Sequence, residues 1–168
     1  MSLMRIKLEE IEMNPFTAIN KGWMLITAGN ENLYNTMTAS WGSLGELWGY
    51  YTGTIHVRPQ RYTKKFVDEN EYYSLSFFTE KYRSALSFCG SKSGRDYDKA
   101  KECGLTPVFT SEAPYFQEAS LVFICKKLYK QDMTPENFLD ASIIEKVYPN
   151  ADFHTNYIGG IVDAFMQK

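Results

Sequence analysis

Histidine and cysteine are scarce: 168 residues hold only two of the first, His56 and His154, and three of the second, Cys89, Cys103 and Cys125. The imidazoles lie far apart, no H-E-x-x-H spacing exists, and a Ser-His-Asp triad would have only two bases to choose from, so zinc and hydrolytic chemistry find no support. The cysteines are odd in number, widely spaced and free of any C-x-x-C pattern. That argues against a disulfide framework or a thiolate metal site and predicts buried free thiols, with no metal expected.

Charge of one sign is missing too. Eighteen Lys and Arg face twenty Asp and Glu, for a formal charge of −2. No overall basic field exists to hold nucleic acid or an anionic membrane, and any anion site must be local. The longest unbroken apolar run, Leu121–Cys125, falls far short of the roughly 20 residues that cross a bilayer. Arg5–Glu12 is charged where the apolar part of a signal peptide would lie. The expectation is a cytoplasmic protein with neither nucleic acid nor membrane as partner. Met1–Leu3, ahead of a second methionine at Met4, read as an expression-derived extension and are set aside from the fold.

What is present is a globular composition, 44% hydrophobic, 23% charged and 15% aromatic. A chain of this length buries about 68–70% of its unfolded surface, and residues 1–168 read as one domain. Gly22–Thr27 and Asn35–Ser40, joined by the turn residues Ala28–Asn32, predict a hairpin. In Tyr50–Arg58, Tyr51, Gly53, Ile55 and Val57 share one face and Thr52, Thr54, His56 and Arg58 the other. A helix is expected from Pro59 to about Glu69, a strand over Tyr72–Phe78, and helices over Glu80–Cys89 and Asp96–Cys103, the last stopped by Gly104. Ala119–Tyr129 reads as a central strand. Thr134-Pro135-Glu136 is read as the N-cap and first turn of a further helix, and Tyr157–Met166 as a strand bulged at Gly159-Gly160. The tally is about six strands with no regular βαβ alternation, a mainly β fold in which an antiparallel barrel carries peripheral α-helices.

Three segments carry chemical promise. Asn35-Thr36-Met37-Thr38-Ala39-Ser40-Trp41-Gly42 crowds small hydroxyl residues at a strand end and then presents an indole. Such a segment suits a flat, polar-edged aromatic ligand; it also fits an ordinary Thr-rich edge strand with a core tryptophan. Arg58, Arg61, Lys64 and Lys65 form a local cationic cluster at a strand-to-helix junction, fit for phosphate or for a solvated helix face. Ser91-Lys92-Ser93-Gly94-Arg95, with Lys99 just beyond, has the composition of a phosphate cradle or of a plain interhelical turn, and lacks the Walker spacing. A stacking wall, a polar rim and two phosphate-seeking clusters without an acid–base set suggest a bound cofactor that supplies the reactivity.

The order N-T-M-T-A-S-W-G (Asn35–Gly42), R-P-x-R-Y-T (Arg58–Thr63), S-G-R-D-x-D-K (Ser93–Lys99) and the closing D-x-H…Y-I-G-G resembles the flavin reductase-like, FMN-binding split-barrel family, and within it the flavoredoxin type. The likeness runs from about Asn14 to Phe165. It implies an antiparallel six-stranded split β-barrel and FMN as cofactor. The flavin ring would lie along Asn35, Thr36, Met37, Thr38, Ala39 and Ser40 with Trp41 beside it. The phosphate would meet Arg58, Arg61, Tyr62, Thr63, Ser91, Ser93 and Lys99, with Arg58 and Lys99 holding it. His154 falls where similar proteins approach the flavin. The resemblance also implies a homodimer with the flavin near its interface. Two activities follow: electron transfer from NADH or NADPH through FMN, or FMN electron carriage for a redox protein partner without nicotinamide oxidation. A binder of some other ligand is the third reading. The sequence departs from its relatives at Glu46–Tyr51, where an aromatic cluster stands in place of a proline after Leu-Trp.

Overall fold

A computed structural model describes residues 2–168. Its strands are β1 (Leu3–Arg5), β2 (Met24–Gly29), β3 (Tyr34–Ala39), β4 (Gly42–Leu47), β5 (Tyr50–Val57), β6 (Tyr72–Phe77), β7 (Pro107–Val108), β8 (Tyr115–Phe116), β9 (Leu121–Asp132) and β10 (Thr155–Gln167). Its α-helices are α1 (Pro15–Thr17), α2 (Thr63–Glu69), α3 (Arg83–Ser91), α4 (Lys99–Cys103) and α5 (Ala141–Val147). Eight strands form one antiparallel sheet in the order β3-β2-β6-β9-β10-β5-β4, with β1 added to β10, while β7 and β8 form a separate small ladder. The strands β3 and β4 end the order, so the barrel is split rather than closed.

The main sheet has two strands beyond the expected six, β1 and β4. Ser43-Leu44-Gly45-Glu46-Leu47 contains no β-branched residue and is drawn into the sheet by its ladder with β5. As expected, β9 is central. Its apolar first half, Leu121–Cys125, is buried throughout, and its lysine-bearing second half grades into solvent, which explains the change from a continuous to an alternating pattern. Strand β10 pairs with β9 along its length, with β5 through Thr155–Gly160 and with β1 through Phe165–Gln167. Register shifts at Ile158/Gly159 and Ile161/Asp163 bend it, the first where a bulge is expected.

Helix starts differ from the sequence expectation for physical reasons. Pro59–Tyr62 forms turns, Arg61 N–H donating to Arg58 O at 3.1 Å, and α2 starts only at Thr63. The start of α4 is Lys99, because the Asp98 carboxylate accepts from Lys101 N–H at 3.2 Å; its stop is Gly104, at φ 62. Gly90 lies inside α3, not in a loop. The Pro135 helix is a single 3-10 turn, Pro135–Asn137, and the Thr134 hydroxyl accepts from the Asn137 side chain at 3.1 Å instead of capping the backbone. The helix of that region, α5, starts after Asp140, whose carboxylate accepts from Ser142 N–H.

Candidate functional site

Strand β3 organises the site. Among the described residues it pairs only with β2, so its outer edge carries backbone groups with no ladder partner there. At its start the Asn35 side chain donates to Thr63 Oγ1 at the head of α2, 2.8 Å away. Gly94 closes over Asn35 so tightly that a Cβ there would stand 1.9 Å from Asn35 Oδ1. Lys99, buried, donates from Nζ to Thr36 O and to Cys89 O, each at 2.8 Å. Thr38 donates to Leu86 O at 2.5 Å and lies against Gly90 of α3. Arg61 donates to Gly90 O at 2.7 Å, one residue from Ser91, and Arg95 covers the Tyr62 ring at 4.6 Å. Asn35, Thr36, Thr38, Arg61, Tyr62, Thr63 and Lys99, dispersed over the sequence, thus converge around β3, whereas Ser91 and Ser93 lie next to Gly90 and Gly94 with their hydroxyls bonded locally, to Ser87 O and Phe88 O and to Arg95 N–H. Beside them a polar cavity of about 380 Å³ is lined by Asn35, Thr36, Gly94, Arg95 and Lys99.

Charge is distributed unevenly within the cationic cluster. Lys64 pairs with Asp68 at 2.8 Å and Arg58 with Asp152 at 2.6 Å. Arg61 has no ion pair among the described residues, although it is partly buried and desolvation lowers its pKa from the ordinary value. Burial also lowers the Lys99 pKa, to about 8. The cysteines are free; Cys89 and Cys125 are buried while Cys103 is only half-buried, and burial pushes the Cys89 thiol up to about 12. The sulfurs of Cys89 and Cys103 lie 3.9 Å apart.

Arg58 departs from the expected arrangement. Instead of joining Lys99 around an anion, its guanidinium donates to Asp152 Oδ2 at 2.6 Å and Val147 O at 3.0 Å and lies over the Tyr148 ring at 5.1 Å. Lys99 likewise spends two donors on backbone carbonyls. Both cations brace walls, whereas the Arg61 side chain makes one hydrogen bond, to Gly90 O, and no ion pair among the described residues.

Just past the end of β3, Ser40 and Trp41 border an aromatic-walled cavity of about 660 Å³, shared with His56, Phe138, Tyr148 and His154. The Trp41 and His154 rings lie 5.4 Å apart and the two imidazoles 6.5 Å apart. Burial, then the charges of Arg58 and His56, lower the His154 pKa to about 4. Burial alone lowers that of His56, whose Nδ1 is sealed from solvent without a partner. His56, Tyr148 and Phe138 are absent from the sequence-derived site. The β5–β10 register, which sets His56 opposite Asn156, brings His56 close to His154, and no local pattern announces that pairing.

Residues 16–167 match the family model described as flavin reductase like domain. No curated protein sequence matches the chain. Solved structures that share the fold include the following three. One is an FMN-binding domain of a flavin reductase-like enzyme from Shewanella baltica OS155, with TM-score 0.69, 16% identity, and 98% of this chain and 76% of that one covered. A flavoredoxin from Methanosarcina acetivorans has TM-score 0.70, 18% identity and coverage of 95% and 76%. The flavoredoxin of Desulfovibrio vulgaris (Miyazaki F) has TM-score 0.68, 20% identity and coverage of 98% and 78%.

Proposed function

The chain belongs to the flavin reductase-like domain family, and from that premise we propose that it binds FMN and passes electrons from NADH or NADPH through the flavin to an acceptor. The observation that carries this reading is Arg61, a partly buried guanidinium with no carboxylate partner among the described residues, held to Gly90 O near the end of α3. A desolvated cation without a counter-ion is a seat for an anion, here the FMN phosphate, with Thr63, Ser91 and Ser93 as hydroxyl partners. The residues present also fit the rest of the cofactor. The unladdered edge of β3 offers backbone donors and acceptors to a flat ring, and Trp41 offers an aromatic wall. The cavities at the start of β3 and just past its end, about 380 and 660 Å³, fall within the ~300–1,000 Å³ common for small-molecule sites.

FMN, when bound, supplies hydride and electron chemistry that no side chain here possesses. The chain's own work is to hold the phosphate through Arg61, to keep the strand edge rigid through Asn35–Thr63 and Lys99–Thr36, and to exclude water along Trp41. Assembly as a homodimer and cytoplasmic residence belong to the same reading. Among the described residues no helix is long and apolar enough to cross a membrane.

The visible spectrum of the purified protein, followed by anaerobic addition of NADH or NADPH, tests the proposal. Flavin absorbance that bleaches on nicotinamide addition is the expected result. A yellow protein reduced only by dithionite or a protein partner would establish the carrier reading, which the flavoredoxin structures favour. A colourless protein whose melting temperature ignores added FMN would defeat both. Arg61→Ala is expected to weaken FMN binding about 10- to 100-fold, the worth of one charge-assisted hydrogen bond.

A further inference from the structure

The His154 ring is wedged among Trp41, His56 and Tyr148, and its Nδ1 lies 2.7 Å from the Tyr148 hydroxyl. That hydroxyl has a second neighbour, Met133 Sδ at 3.6 Å. A thioether is a much weaker acceptor than an imidazole nitrogen, which favours donation of the phenolic hydrogen to Nδ1 over donation to sulfur, and with it a ring hydrogen on Nε2. His154 Nε2 makes no hydrogen bond among the described residues, yet it is not one of the sealed, unpartnered polar atoms. It therefore opens to the cavity that His154 lines with Ser40 and Trp41. Tyr148 is itself held in place. Arg58 lies over its ring and donates to Val147 O and to Asp152 Oδ2, tying both flanks of the Tyr148–His154 segment to the end of β5.

We propose that Tyr148 is a positioning residue that fixes His154 as the Nε2-protonated imidazole and so presents a hydrogen-bond donor to a carbonyl or carboxamide oxygen of the ligand in this cavity. The ligand's identity rests on the flavoprotein reading; the tautomer does not. The charged and titratable groups facing His154 are Arg58, which opposes its protonation, His56, and Asp152, whose Oδ2 is already taken by Arg58 and by Gln60 at 2.7 Å. Burial and the charges of Arg58 and His56 outweigh the opposing Asp152 carboxylate and keep the ring uncharged down to about pH 5, and an uncharged imidazole polarises a carbonyl by donating a hydrogen bond rather than by transferring a proton.

Nitrogen-15 NMR of the labelled protein, in which only two histidines resonate, tests this directly. The expected spectrum at pH 7 shows His154 protonated at Nε2 and bare at Nδ1, unchanged to about pH 5. Tyr148→Phe keeps the ring and removes the hydroxyl. It is expected to give a mixture of tautomers and an about tenfold lower kcat/KM for nicotinamide-driven flavin reduction, with FMN affinity within about twofold of the unsubstituted protein. A hydrogen on Nδ1 of the unsubstituted protein, or Tyr148→Phe leaving both tautomer and rate unchanged, overturns the proposal. If the protein binds no flavin, the flavoprotein reading fails and the nitrogen spectrum still decides the role of Tyr148.

Discussion

Arg58 and Arg61 stand three residues apart and differ in what they touch. Arg58 is bound to Asp152 and Val147, while Arg61 bonds only Gly90 O among the described residues. Arg58→Ala is therefore expected to cost about 1–2 kcal/mol with no flavin present, discounting for its partial exposure. That corresponds to a melting temperature lower by about 3–6 °C. A role for Arg58 confined to holding phosphate would leave the melting temperature of the flavin-free protein unchanged, and thermal denaturation decides between the two. The cationic cluster is legible in the chain because four basic residues stand close together. Which of them is neutralised is only half legible: Asp68 stands four residues from Lys64 on the same helix, but Asp152 approaches Arg58 from another part of the chain. Tyr148 and His56 were illegible for the same reason: an isolated tyrosine or histidine has no pattern until strand pairing sets it beside its partner.

At the scale of elements, the paired glycines of β10 show how one strand serves two ladders. A Cβ at Gly159 would lie 2.5 Å from the Tyr73 hydroxyl and 2.8 Å from Cys125 Cβ. Tyr73 is fully buried and donates to Gly53 O. Gly159→Ala must therefore break that bond or shift β10, an expected loss of about 2–3 kcal/mol in urea denaturation. At Gly160 the nearest atom, 3.0 Å away, is the movable end of Leu128, and the same substitution there should cost clearly less; equal losses would contradict the packing argument. The glycine pair, the central strand and the Gly104 stop were readable because each is a local rule of backbone conformation. The Pro135 helix failed because the Thr134 hydroxyl bonds the Asn137 side chain rather than the backbone. Strand β4 has no signature in the chain because its partner β5, not its own propensity, makes it a strand.

At the scale of the whole molecule, the β4–β5 hairpin leaves Trp48 58% and Tyr50 54% exposed, with Tyr51 and Tyr129 nearby on the surface. Trp48 and Gly49 both have positive φ, 58° and 78°, the twisted hairpin geometry in which asparagine and glycine are usual and an indole is strained. An aromatic tip kept exposed at conformational cost supports the proposed homodimer. Trp48→Lys combined with Tyr50→Lys should turn a dimer into a monomer in sedimentation equilibrium, and a monomeric unsubstituted protein would remove the proposal. The chain by itself determined the mainly β architecture through alternation, and the family through a resemblance carried by short motifs, because both are local properties. Only the tertiary structure decided that Arg58 braces while Arg61 has no ion pair among the described residues, and that Tyr148, His154 and His56 share one cavity. Ion pairing, desolvation and strand register depend on residues remote in sequence, and folding alone brings them within bonding distance.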